Sequence, residues 1–169
     1  VSDVIIGEGE LAAILGPCAL ESVDHSLFMA EEIANVCNKI GLPWIFKGCF
    51  DKDCRSNIES FHGVGLDEGL RVLERVRNEF CVPVVTDFSV PDWAQPAGEV
   101  CDLIQVPAYL CRQSSILRAA AETGKPVHLK KGQFMSPWNM RNSLDKLAAF
   151  GCDNVILADR GTMFGYNML

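Results

Sequence analysis

Six short, nearly continuous apolar runs, each bounded by turn residues and separated from the next by a segment of helical spacing, restrict this chain to a parallel α/β fold. Strands are predicted at Ala12 to Leu15, Trp44 to Lys47, Val82 to Asp87, Leu103 to Val106, Val127 to Lys130 and Val155 to Ala158. Runs without polar alternation suit strands covered on both faces, the condition that crossover helices impose on a parallel sheet. Asp24 is expected to cap a helix through Ile40 that stops at Gly41 and Pro43. Leu66, Leu70, Leu73 and Val76 give a second helix within Gly65 to Phe80, and Pro91, Gln113 and Pro137 mark the starts of three more. Ahead of the first strand, Val4 to Ile6, the Gly7-Glu8-Gly9 turn and Leu11 onward predict a β-hairpin. No linker, low-complexity tract or composition break interrupts the 169 residues, so a single domain is expected.

At 49% hydrophobic residues the chain has ample material for one core. Its net charge of -7 and the lack of any Lys/Arg-rich run argue against a nucleic-acid or anionic-membrane surface. No apolar run approaches the roughly 18 residues of a membrane span. The N-terminus lacks the basic flank and apolar stretch of a signal peptide, and a soluble, cytoplasmic protein is expected. The eight cysteines contain no C-x-x-C pair, which excludes zinc-ribbon spacing and favours reduced thiols acting as small hydrophobes.

Six βα units suit either an open doubly wound sheet or most of a (β/α)8 barrel. Length favours the open sheet, because a closed barrel takes about 250 residues. Against it, Gly7-x-Gly9 precedes the first strand and no G-x-x-x-x-G-K-[ST] occurs, so no nucleotide fingerprint is present. The charged residues fall at strand ends instead: Lys47 with Lys52 after strand 2, Arg112 after strand 4, Lys130 with Lys131 at strand 5, and Arg160 after strand 6, accompanied by Asp87 and Asp159. In a barrel these positions converge on the face where such enzymes place their chemistry. Unpaired cations in a partly desolvated mouth are costly, and an anionic ligand with more than one charged group removes that cost. The segment Phe50-Asp51-Lys52-Asp53-Cys54-Arg55-Ser56-Asn57 adds a loop with a guanidinium fork beside a hydroxyl, suited to a phosphate.

Several segments together resemble the 3-deoxy-D-manno-octulosonate 8-phosphate synthase family: Gly16-Pro17-Cys18-Ala19-Leu20-Glu21-Ser22, Phe46-Lys47-x-x-Phe50-Asp51-Lys52-x-x-Arg55-Ser56, Ile104-Gln105-Val106-Pro107-Ala108, Leu110-Cys111-Arg112-Gln113, Lys130-Lys131-Gly132-Gln133-Phe134 and Arg160-Gly161-Thr162-x-Phe164-Gly165-Tyr166-Asn167. The resemblance implies a (β/α)8 barrel that condenses phosphoenolpyruvate with arabinose 5-phosphate and releases inorganic phosphate, a step toward lipopolysaccharide in Gram-negative bacteria. It assigns Lys47, Lys52, Lys130 and Arg160, with the backbone near Ala108, to phosphoenolpyruvate, and Arg55 and Ser56 to the phosphate of the sugar. Lys47, Lys52 and Lys130 are the catalytic candidates. Cys18 matches a metal ligand of the metal-dependent branch, which implies zinc, iron(II), manganese or cobalt. A homotetramer is also implied. The nearest alternative, 3-deoxy-D-arabino-heptulosonate 7-phosphate synthase, shares phosphoenolpyruvate but takes erythrose 4-phosphate, and Leu110-Cys111-Arg112-Gln113 with Phe50-Asp51-Lys52 favours the octulosonate enzyme.

The match is incomplete. Cys54 stands where the family has Asn, His62-Gly63-Val64-Gly65 where it has Arg-Gly-Pro-Gly, and Ser89-Val90 where it has His-Glu. The family's other metal ligands, a His, a Glu and an Asp, would lie beyond Leu169, and His25, His62 and His128 do not replace them by motif. Six strands do not close an eight-strand barrel, so a gene fragment or truncated chain is expected, with strand edges exposed and no synthase turnover alone. The alternatives are a short relative completed by another chain and a remnant that binds phosphate without catalysis.

Overall fold

A computed structural model of the chain describes residues 1–7, 9 and 11–168. It contains two compact units, Val1–Thr86 with Val100–Asp102 and Asp87–Glu99 with Leu103–Leu169. Each is built of parallel strands in chain order with helices between them, the alternation expected of part of a (β/α)8 barrel.

In the first unit, β1 (Ala13–Leu15) pairs with β2 (Trp44–Lys47), and β2 pairs with β3 (Val84–Asp87). Helix α1 (Val23–Ile40) connects β1 to β2, and α2 (Leu66–Phe80) connects β2 to β3. Ser22, not Asp24, caps α1: its backbone is extended, and its hydroxyl accepts the His25 N–H at 3.1 Å. Asp24 lies in the first turn, where its charge faces the positive end of the helix dipole. Gly41 ends α1 at φ 66°, as anticipated. The buried stripe of α2 is Gly69, Val72, Leu73 and Val76, with Leu66 and Leu70 only half-buried at its border. Strand β3 begins at Val84 rather than Val82, because Pro83 has no N–H to give to a ladder.

The expected N-terminal hairpin is not formed by the described residues. Val4 turns back on Val1 through a 2.9 Å backbone bond, and Val4 to Ile6 make no ladder. Glu8 and Glu10 lie outside the described residues.

In the second unit, β4 (Leu103–Val106), β5 (Val127–Lys131) and β6 (Val155–Asp159) pair in that order. Helices α3 (Ala94–Val100), α4 (Ser114–Glu122) and α5 (Arg141–Ala149) precede β4, β5 and β6. Gln113 is the N-cap of α4, whereas Pro91 and Pro137 open single 3-10 turns that lead into α3 and α5. β4 is buried along its whole length, as its unbroken apolar run with one glutamine allows only if both faces are covered.

Five cysteines are buried, and burial pushes the Cys37 and Cys152 thiols up from their ordinary value. Cys18, Cys54 and Cys81 are exposed, so they are not the small core hydrophobes that composition suggests. No described helix is long and apolar enough to cross a membrane.

Gly69 shows how closely α2 is seated. A Cβ at this position would lie 2.2 Å from the Cβ of Phe50, itself fully buried. Gly69→Ala should therefore destabilise the protein by about 1–3 kcal/mol through overpacking, although alanine is the better helix former. A lower urea midpoint at unchanged slope is the expected outcome, and a higher midpoint would contradict this packing.

Candidate functional site

Parallel pairing sets the C-terminal ends of β1 and β2 side by side. There Gly16 presses its backbone against Lys47: a Cβ at residue 16 would stand 1.9 Å from the Lys47 carbonyl oxygen. Only glycine allows that approach. Lys47 is half-buried at the end of β2, with its backbone pinned between β1 and β3. A 2.9 Å bond from the Leu20 N–H to the Cys49 carbonyl ties the loop after β1 to the loop after β2, and Cys18 is exposed between these anchors.

The loop after β2 is closed at its base by two backbone bonds. Lys52 N–H donates to His62 at 2.6 Å, and Gly65 N–H donates to Phe50 at 2.9 Å. His62 Nδ1 lies 3.8 Å from Asp51 Oδ1 at the same base. Within the loop, Arg55 N–H donates to the Lys52 carbonyl at 3.1 Å, and this turn leaves Arg55 and Ser56 exposed while Lys52 is half-buried. The guanidinium and hydroxyl expected to hold a sugar phosphate thus share one exposed turn next to Lys52.

In the second unit the register sets Gln105, His128 and Ile156 in one row across β4, β5 and β6, and Lys130 beside Ala158 two residues on. Alternate residues of a strand share a face, so Gln105, His128 and Lys130 point to the same side. Lys130 is half-buried there. Gln105 is fully buried, yet neither atom of its side-chain amide has a hydrogen-bond partner among the described residues. Two orphaned polar atoms beside a cation mark a position where a ligand or water completes the bonding. A cβ-bearing residue at 132 would lie 2.9 Å from the Ala108 carbonyl, so Gly132 lets the loop after β5 pass against the 3-10 turn Ala108–Leu110.

Arg160 follows β6 and is exposed. Beside it, the Asp159 carboxylate accepts the Gly161 N–H at 2.9 Å and lies 3.2 Å from the Lys131 ammonium. The Gly161 N–H first, and Lys131 second, hold this carboxyl below its ordinary value. Arg112, grouped by sequence with these cations, instead lines a cleft of about 470 Å³ with Phe134, Asn139, Asn142, Lys146 and Tyr166. Neither Lys130 nor Arg160 lines that cleft, and Lys146 caps the Arg112 carbonyl at 2.8 Å.

A sequence model of the DAHP synthetase I family matches residues 1–169. This chain belongs to the DAHP synthetase I family. Its curated relatives include the 2-dehydro-3-deoxyphosphooctonate aldolases of Synechococcus sp., 50% identical over 97% of this chain, and of Protochlamydia amoebophila, 50% identical over all of it. The enzyme of that name from Trichlorobacter lovleyi is 46% identical over the whole chain. These matches cover 58% to 62% of the relatives, so the chain spans about three fifths of their length.

Gln105 and Lys131 belong to the sequence segments Ile104 to Ala108 and Lys130 to Phe134, yet nothing in the sequence alone gives either of them a role of its own. The structure separates Lys131 from Lys130 by face: Lys131 is buried and bonded, on the opposite side of β5. Among the described residues no three His, Cys, Asp or Glu side chains are grouped to hold a metal ion, and a lone exposed Cys18 does not supply a catalytic ligand set. His25 lies in the first turn of α1 and His128 within β5, apart from any such group.

The Asp159 contacts carry a pH signature. A carboxyl depressed on folding contributes stability above the ordinary aspartate range and loses it as pH falls through the lower folded value. Stability should therefore decline below about pH 4, and Asp159→Asn should flatten that acid limb while lowering stability at neutral pH. Identical acid limbs for the two proteins in urea titrations would contradict the assignment.

Proposed function

We propose that this chain carries the anion-binding residues of a synthase that condenses phosphoenolpyruvate with arabinose 5-phosphate, giving 3-deoxy-D-manno-octulosonate 8-phosphate and inorganic phosphate. The observation that carries the reading is the mounting of Lys47, Lys130 and Arg160 at the C-terminal ends of parallel strands, with Arg55 and Ser56 on one turn after Lys52. The name shared by relatives up to 50% identical favours the octulosonate product over the heptulosonate alternative.

In this reading the methylene carbon of phosphoenolpyruvate bonds to the aldehyde carbon of the sugar, and water replaces phosphate at the enol carbon. Both substrates are anions, so the first task of the protein is to bring like charges together. Lys47, Lys52, Lys130 and Arg160 take the phosphate and carboxylate of phosphoenolpyruvate, with the backbone at Ala108 and the orphaned amide of Gln105 completing its hydrogen bonds. Arg55 and Ser56 take the sugar phosphate as a fork and a hydroxyl. Fixed cations offset substrate repulsion and stabilise negative charge that develops on the aldehyde oxygen. Cys18 is the residue this reading gives to zinc, iron(II) or manganese. One thiolate does not complete such a centre, and no step is assigned to a metal here.

Calorimetry with separate substrates tests the assignment. Arg55→Ala should weaken arabinose 5-phosphate by about 1.5–3 kcal/mol, roughly tenfold to a hundredfold, and leave phosphoenolpyruvate nearly unchanged. Arg160→Ala should do the reverse. Equal losses for both ligands would show that the two phosphates are misassigned.

A further inference from the structure

Lys131 is the most buried cation at the end of a strand, with a side chain 5% exposed. Its ammonium reaches five oxygens: the carbonyls of Gly132 at 3.4 Å, Met135 at 3.1 Å and Gly161, the Thr162 hydroxyl at 3.4 Å and the Asp159 carboxylate at 3.2 Å. These oxygens come from the loop after β5, the end of β6 and the loop after β6. An ammonium has three protons to share among them, so each bond helps to define the position of the others. Burying this charge is strongly unfavourable without such partners, which makes the arrangement one that must form whole.

Arg160 sits between two of the residues so held, Asp159 and Gly161. A further bond, from the Met163 N–H to the Gln133 carbonyl at 2.8 Å, ties the same two loops a little beyond. Lys130 is the neighbour of Lys131 in β5 and points to the other face. One ammonium therefore fixes the backbone on which both Lys130 and Arg160 are mounted.

We propose that Lys131 is a positioning residue, which clamps the loop after β6 to the end of β5 so that Arg160 and Lys130 are presented to the same anion. This rests on the reading of those two residues as phosphoenolpyruvate ligands. A role in stability alone would lower the unfolding midpoint without changing which substrate is bound.

The test combines calorimetry with amide exchange on the full chain. Lys131→Met should lower phosphoenolpyruvate affinity about tenfold and arabinose 5-phosphate affinity less than about twofold, since the residues for the latter lie after β2. In an Arg160→Ala background the same substitution should cost clearly less than about tenfold, because the part of its effect exerted through Arg160 is already lost and only the part through Lys130 remains. Exchange should quicken at residues 160–163 and stay unchanged in α4. Asp159→Asn alters a carboxylate that is 68% exposed, and keeps the test decisive if Lys131→Met does not fold: it should quicken the same segment and weaken phosphoenolpyruvate by about twofold to fivefold. Additive losses with Arg160→Ala, equal losses for both substrates, or unchanged affinity in both variants would overturn the proposal. If the unsubstituted chain binds no phosphoenolpyruvate, the reading of the site fails separately. Exchange at 160–163 in Asp159→Asn then decides the clamp, and unchanged rates there overturn it.

Discussion

Parallel pairing is the constraint on which the rest of this chain depends. Strands that run the same way cannot be joined by tight hairpins, so each needs a crossover helix, and all of their C-terminal ends emerge at one edge of their sheet. In the first unit that edge holds Gly16, Lys47 and the loop through Arg55; in the second it holds Ala108, Lys130 and Arg160. The backbone has to be drawn tight at these ends. Gly16 against the Lys47 carbonyl and Gly132 against the Ala108 carbonyl are approaches that no side chain would tolerate without a shift.

Net charge is a poor guide to such a site. The chain carries -7, yet its chemistry as read here is anion binding. The resolution is local: many acidic residues lie on helix surfaces, some paired there with arginine as in Arg71–Glu68 and Arg141–Asp145, while Lys47, Lys130 and Arg160 stand at strand ends. Asp159 is an acidic residue at a strand end, and its carboxylate is committed to Lys131 and the Gly161 N–H. Its charge thus neutralises the buried Lys131 ammonium.

Much of this architecture was legible in the sequence because burial writes itself as composition. Trp44–Lys47 and Leu103–Val106 match their predicted bounds, as apolar runs between turn residues must when both faces are covered. Less legible were choices between chemically similar neighbours. Ser22 and Asp24 are both good caps, and only the extended backbone of Ser22 selects it. Lys130 and Lys131 are identical in sequence terms, and their opposite roles follow from the pleat and from which loops lie within reach. The hairpin expected from Val4 to Ile6 and Leu11 onward is not formed by the described residues, because a glycine turn beside an apolar segment does not by itself hold two strands together. Arg112 follows β4 as predicted, but the 3-10 turn that intervenes carries it into the cleft with Lys146.

The central claim is that phosphoenolpyruvate is held at the C-terminal ends of the strands, and a backbone amide NMR titration of the chain with this ligand tests it most directly. Saturable shifts are expected at residues 47–52, 105–108, 130–133 and 159–162, with little change along α4. Shifts concentrated instead around Arg112, Asn142 and Lys146, or along Ser114–Glu122, would place the anion elsewhere and contradict the account.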